Sequence, residues 1–185
     1  MVDLQDLICI HDDSLEPNIC DFLISLFEQT PDKHERYDND GKPNFTQFNL
    51  TENRNLNQDV NQVHNHIIKK IFEYRDKYYE FIDKRVFPEE HAFEQIRIKR
   101  YNPGGNDWFD THVDVTNHES ARRFLSFMWY LNDVESGGNT VFDGVTITPK
   151  KGTLVIFPPL WMYPHRGEPP LSGSKYILSG YLHYK

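Results

Sequence analysis

Cys9 and Cys20 are the only thiols in 185 residues. So few cysteines exclude a disulfide framework and any zinc site built on four of them. No apolar run approaches the roughly 18 residues of a membrane-spanning helix. Basic runs are absent too, and the opening MVDLQDLICIHDD lacks the positively charged start of a secretory signal. There is no internal repeat, no low-complexity tract and no linker long enough to divide the chain. The expectation is a single cytoplasmic domain over 1–185 that does not involve a membrane, since domains commonly run to roughly 100–200 residues.

Aromatic residues, by contrast, make up 14% of the chain, enough large apolar side chains to build a core. Residues 1–92 read as helical support plus a loop. Pro17 sits where a first-turn proline belongs, followed by Ile19, Phe22, Leu23, Leu26 and Phe27 at helical spacing. The polar stretch from Asp32 to Asn57 reads as a long surface loop that orders over bound substrate. A second helix is expected from Gln58 to Asp83, with Val60, Val63, Ile67, Ile71, Phe72, Tyr78 and Phe81 as its apolar stripe. Residues 93–185 change period. Gln95–Tyr101, Phe124–Leu131, Thr140–Thr148, Thr153–Phe157 and Tyr176–Tyr184 are β-branched or aromatic runs separated by turn signals. The expected fold class is α+β with a mainly β core.

The histidines need context. With nine His and 16 Asp, about one His-x-Asp arises by chance, and the chain holds two. His11 lies in a short acidic segment and reads as a solvated turn. His112 and Asp114 stand two apart in an extended segment, where alternate side chains share a face and can converge on one ion. His165, after the apolar run Thr153–Phe157, is the best third ligand. Two histidines and a carboxylate suit a non-haem Fe(II) site with open positions, and zinc would accept them as well. Lys175 opens the last strand on the face of Ile177, Ser179 and Tyr181. Inside a barrel, a lysine there is expensive unless it meets an anion. A dicarboxylate chelating the metal at one end and meeting Lys175 at the other explains both features.

HVD, YLNDVESGGNTVF, GTLVIFPP, PHRGEPPLSGSK and the closing aromatic strand resemble the iron(II)- and 2-oxoglutarate-dependent dioxygenases, and within them the prolyl 4-hydroxylase-like group. The likeness spans roughly Phe93 to Tyr184. It implies a double-stranded β-helix (a cupin-like jelly roll) supported by the N-terminal helices. It implies Fe(II) held by His112, Asp114 and His165, with 2-oxoglutarate and O2 as co-substrates, and it admits ascorbate. Lys175 would meet the C5 carboxylate of 2-oxoglutarate. Tyr130, Tyr101 and Thr140 match positions that line the co-substrate pocket. Tyr181 stands where many relatives have Trp beside the ligands. The implied reaction is hydroxylation of an unactivated C–H, a prolyl residue in a protein or peptide first. Lysyl, free-amino-acid or demethylase chemistry and a non-catalytic metal-binding cupin are the alternatives. A carboxylate ligand at 114 argues against a halogenase, which needs that position vacant.

Further candidates come from strand parity and neighbourhood. Arg97 shares the face of Tyr101, and Trp108 and Trp161 flank the ligands in sequence; all three are candidate substrate contacts, with Tyr181. No catalytic residue beyond the metal site is singled out. The net charge of −8 does not weigh against nucleic acid. Residues 1–40 hold 11 acidic and 2 basic side chains, leaving 17 and 18 in the other 145. What weighs against it is the resemblance and the lack of a basic run.

Overall fold

The computed structural model describes residues 3–38 and 43–185. Its elements run β1 (Cys9–His11), α1 (Pro17–Gln29), β2 (His34–Asp38), β3 (Asn44–Asn49), α2 (Gln58–Phe81), β4 (His91–Phe93), β5 (Arg97–Tyr101), β6 (Phe109–His112), β7 (Arg123–Tyr130), β8 (Thr140–Phe142), β9 (Val145–Ile147), β10 (Leu154–Phe157), β11 (His165–Gly167) and β12 (Lys175–Tyr184). The strands form two antiparallel sheets. The larger has the order β1-β10-β7-β12-β5-β3-β2, with β4 also pairing β12; the smaller is β6-β11-β8-β9. These two sheets, with helices beside the larger, are the jelly-roll layout expected.

Strand alternation sorts the core into two layers. Leu125, Phe127 and Trp129 of β7, Leu154 and Ile156 of β10, and Leu178 and Leu182 of β12 pack with α1 and α2. Tyr130, Val155, Phe157 and Ile177 point the other way, against Phe142 and Ile147 of the smaller sheet. With both faces covered, the central strands are near-continuously apolar. Trp129 is 1% exposed, and its indole Nε1 donates to Ser14 Oγ at 2.9 Å, which ties the segment after β1 into the core.

The helices form where capping and periodicity agree. Pro17 opens α1, and the Asn57 side chain accepts from Val60 N to cap α2. Most of the expected α2 stripe is buried, but Phe72 and Phe81 are 36% and 56% exposed. Phe72 lies one residue round from Ile71 and so off the stripe, while Tyr74 and His64 take up buried positions. Along the expected Thr140–Thr148 run, Gly144 adopts φ +73°, and the run becomes the hairpin β8–β9.

The largest correction concerns 32–57. Its larger part is not a surface loop but a hairpin, β2–β3, whose second strand pairs with β5 inside the larger sheet, while 51–57 are mostly exposed turns. The part of that expected loop at 39–42 lies outside the described residues. All six residues of β3 are buried, although Asn44, Thr46, Gln47 and Asn49 are polar. Their partners come from distant chain: Gln47 donates to Glu35 at 2.6 Å and Asn49 to Gln95 at 2.8 Å. Residues 1–92 are therefore helical support plus strands. His11, too, is no solvated turn, since it pairs with Leu154 and packs on the Tyr74 ring.

An ion pair between an exposed arginine and a buried carboxylate secures the hairpin. Arg36 of β2 donates twice to Asp107, at 3.0 and 2.7 Å, and Asn102 adds its backbone N and Nδ2. Burial raises the Asp107 carboxyl, but these donors more than offset it, leaving it below the usual carboxylate range. Asp107→Ala is expected to cost about 1–3 kcal/mol, read as a lower urea midpoint, because four donor groups lose their acceptor. Since the native carboxyl is the more acidic, this contribution is present above its ordinary pKa and fades as pH falls through the lowered value.

Candidate active site

Cross-strand pairing sets His165 of β11 opposite His112 at the end of β6. Asp114 lies just past β6, not on it, and its carboxylate faces both rings. His112 Nε2 is 3.6 Å from Oδ1, and His165 Nε2 is 4.0 Å from Oδ2. The ligand-capable atoms of the three all lie within 4.8 Å of one another. Each ring is held from behind. His112 Nδ1 donates to Asp110 O at 2.7 Å and His165 Nδ1 to Tyr163 O at 3.0 Å, which leaves both Nε2 lone pairs facing inward. His112 stacks on Phe109, and His165 lies between Phe142 and Phe157.

Electrostatics suit a cation. Burial lowers the His165 pKa and so favours the neutral imidazole that a metal needs. Burial pushes the Asp114 carboxyl up, but the imidazoles and the Lys99 charge that face it hold it below the usual range. Two imidazoles and a carboxylate on one side of a cavity match the donor set for Fe(II) with open positions, and zinc accepts it as well.

Lys175 lies in the same pocket and is 3% exposed. Its Nζ donates to Gly138 O at 2.6 Å and sits 5.4 Å from the Tyr101 ring centroid and 5.6 Å from that of Tyr130. Burial pushes the ammonium down to about 7, and Glu168 opposes that only in part. The Gly137-Gly138 turn brings the carbonyl in. Gly137 has φ +72°, and a Cβ there would come 2.4 Å from Pro169 O. Tyr130 OH donates to Thr140 Oγ1 at 2.6 Å, joining two further residues singled out in the sequence.

Residues 96–183 match the 2OG-Fe(II) oxygenase superfamily model. Those residues, just under half of the chain, are similar to that superfamily. The oxygenase region is 28% identical over 108 residues to human prolyl 4-hydroxylase subunit alpha-1, a match that takes in 49% of this chain and 20% of that protein. A probable prolyl 4-hydroxylase 9 of Arabidopsis thaliana is 30% identical over 105 residues, covering 42% of this chain and 35% of the relative. The chain thus spans well under half of these relatives. Over nearly its whole length it superposes on a viral collagen prolyl hydroxylase of Paramecium Bursaria Chlorella virus-1 in complex with 2OG. The TM-score is 0.71 at 25% identity, with 97% of each chain covered. A Pseudomonas putida prolyl-4-hydroxylase has the same fold, with a TM-score of 0.70 at 18% identity over 97% of this chain and 93% of that one.

Around the oxygenase pocket the other expected contacts divide. Tyr181 lines both the pocket and the groove outside it, and burial followed by the Asp114 charge raises its phenol well above the ordinary range. Arg97 lies in the outer groove, where Gln95 and Glu94 engage it. The two tryptophans are not brought in. Trp161 is 75% exposed beyond β10, and neither it nor Trp108 lines the pocket or the groove. Phe109 does line the pocket, so alternation turns its neighbour Trp108 elsewhere.

Sequence reasoning passed over Lys99, which lines the pocket and the groove alike. The signal was available, because Lys99 lies between Arg97 and Tyr101 with the same parity.

Proposed function

We propose that the chain is an Fe(II)- and 2-oxoglutarate-dependent dioxygenase that hydroxylates a prolyl residue of a protein or peptide. One arrangement carries the reading: His112, Asp114 and His165 converge in the pocket that also holds the buried cation Lys175. When bound, Fe(II) supplies the oxygen chemistry that protein side chains lack. The chain provides the rest. His112, Asp114 and His165 hold the metal, and Lys175 receives the far carboxylate of 2-oxoglutarate. Tyr101, Tyr130 and Thr140 pack around that end and orient it. Phe109, Phe142 and Phe157 keep the histidines fixed and exclude water.

Anaerobic loading with Fe(II), then addition of O2, 2-oxoglutarate, ascorbate and proline-containing peptides, is expected to release succinate, with an increase when a peptide fits. Loss of the reading would follow from metal uptake without succinate under every condition, the behaviour of a binding module. Release stimulated by lysyl peptides, free amino acids or methylated compounds, and not by prolyl peptides, would keep the dioxygenase and change its substrate.

A further inference from the structure

The groove outside the metal-ligating triad contains an unpaired cation. Arg97, Lys99 and Arg123 all line it. Arg123 is clamped by Glu94 at 2.6 and 2.7 Å, donates to Asp114 O at 2.7 Å and lies over the Tyr181 ring. Arg97 donates to the Gln95 side chain at 2.7 Å and lies 3.6 Å from Glu94. Lys99 makes no hydrogen bond or ion pair among the described residues. Among the described residues its ammonium lies over the Phe45 ring, 5.1 Å from the centroid. Asp114 is the nearby anion, but its two oxygens face His112 and His165.

Position makes this informative. The inner face of β5 carries Arg97, Lys99 and Tyr101, opposite Ser179, Ile177 and Lys175 of β12. Lys175 and Lys99 are thus diagonal neighbours across two strands, the first in the inner pocket and the second also facing the groove. Surrounding protein already strips much water from Lys99, and desolvation pushes its ammonium down to about 8. What hydration remains comes through the groove. A ligand filling that groove displaces this water. A neutral ligand then leaves a desolvated charge unmatched, whereas an anionic group restores a partner through a charge-assisted hydrogen bond. 2-Oxoglutarate does not meet this need under the reading above, since Lys175 takes one of its carboxylates and the metal the other.

We propose that Lys99 is a specificity-determining residue that binds a carboxylate on the substrate next to the oxidised carbon. This rests on the dioxygenase reading and narrows it: the substrate is a prolyl peptide with Asp or Glu flanking the target proline.

The test uses peptides of one length, identical except for Asp, Asn or Lys placed directly before or after the proline. Succinate release gives kcat and KM for each. With the wild-type protein, the better of the two Asp peptides is expected to show a KM at least about tenfold below its Asn counterpart, with the Lys peptide poorest. Lys99→Met is expected to bring the Asp-to-Asn ratio close to one, and Lys99→Arg to restore the preference. Equal KM values for Asp and Asn peptides in the wild type overturn the proposal, as does a ratio that survives Lys99→Met. A Lys99→Met protein that loses 2-oxoglutarate affinity but keeps the peptide ratio also overturns it, by assigning Lys99 to the co-substrate. If Lys99→Met does not fold, the wild-type ratio and Lys99→Arg still decide. Absence of succinate with every peptide in the wild type is a different failure, that of the dioxygenase reading itself, and this inference falls with it.

Discussion

Lys175→Met is expected to yield a protein that melts higher than the wild type yet no longer responds to 2-oxoglutarate. The two effects have one cause. Burial lowers the ammonium from an ordinary 10.5 to about 7, so the folded protein carries a poorly solvated charge that the unfolded chain hydrates freely. At about 1.4 kcal/mol per pKa unit, the mismatch amounts to several kcal/mol. Methionine keeps most of the volume and removes the charge, while stranding Gly138 O at a cost of roughly 1–3 kcal/mol. A net gain of about 2 kcal/mol raises Tm by roughly 4–8 °C at this chain length. The pH dependence has a definite sign. Between about 7 and 10.5 the unfolded chain binds the extra proton, so wild-type stability rises with pH across that window. Lys99 contributes a similar slope from about 8, so the quantity to follow is wild type minus variant. Ligand at about 100 times its Kd adds ~2.7 kcal/mol to a protein that binds it. The metal-loaded wild type should show that shift with 2-oxoglutarate, and the variant none. A variant that melts lower and still shifts would remove Lys175 from the co-substrate site.

Asp114→Ala carries the largest expected loss of activity. Removing a group that only orients a metal ligand costs ~10–100-fold in affinity or activity. Asp114 supplies the one anionic donor between His112 and His165, so its loss should exceed that range in both Fe(II) affinity and succinate release. The fold should survive, because the hydrogen bonds that His112 and His165 donate to Asp110 O and Tyr163 O still hold the two rings. Far-ultraviolet circular dichroism and anaerobic Fe(II) titration separate these quantities. Wild-type iron affinity in a folded Asp114→Ala protein would exclude the triad as the metal site.

Why was so much of this site readable from the chain alone? A metal constrains residue type and spacing at once, and strand parity then fixes which face His112 and Lys175 occupy. Parity also placed Ser179 and Tyr181 on the face of Lys175, where they line the pocket. Other parts depend on partners distant in sequence. β3 reads as a polar loop because its Gln47 and Asn49 are satisfied by Glu35 and Gln95, and no local pattern reveals that. The pairing of Arg36 with Asp107 crosses 71 positions. Proximity in sequence misled in the opposite way for Trp108 and Trp161, which neighbour the ligands along the chain but not in the cavity. Asp114 shares the site without sharing the strand, since β6 stops at His112.

The two margins of the larger sheet are protected unequally. On one side β2, His34–Asp38, carries Glu35, Arg36 and Asp38, charges that discourage another chain from adding on. On the other, three residues of β1 are all that cover β10, whose Leu-Val-Ile-Phe run is wholly buried. Trimming Cys9–His11 would leave the backbone donors and acceptors of that apolar strand open along one side, a ready template for intermolecular β-pairing. Protein lacking β1 is therefore expected to be lost to insoluble material before its chemistry could be assayed.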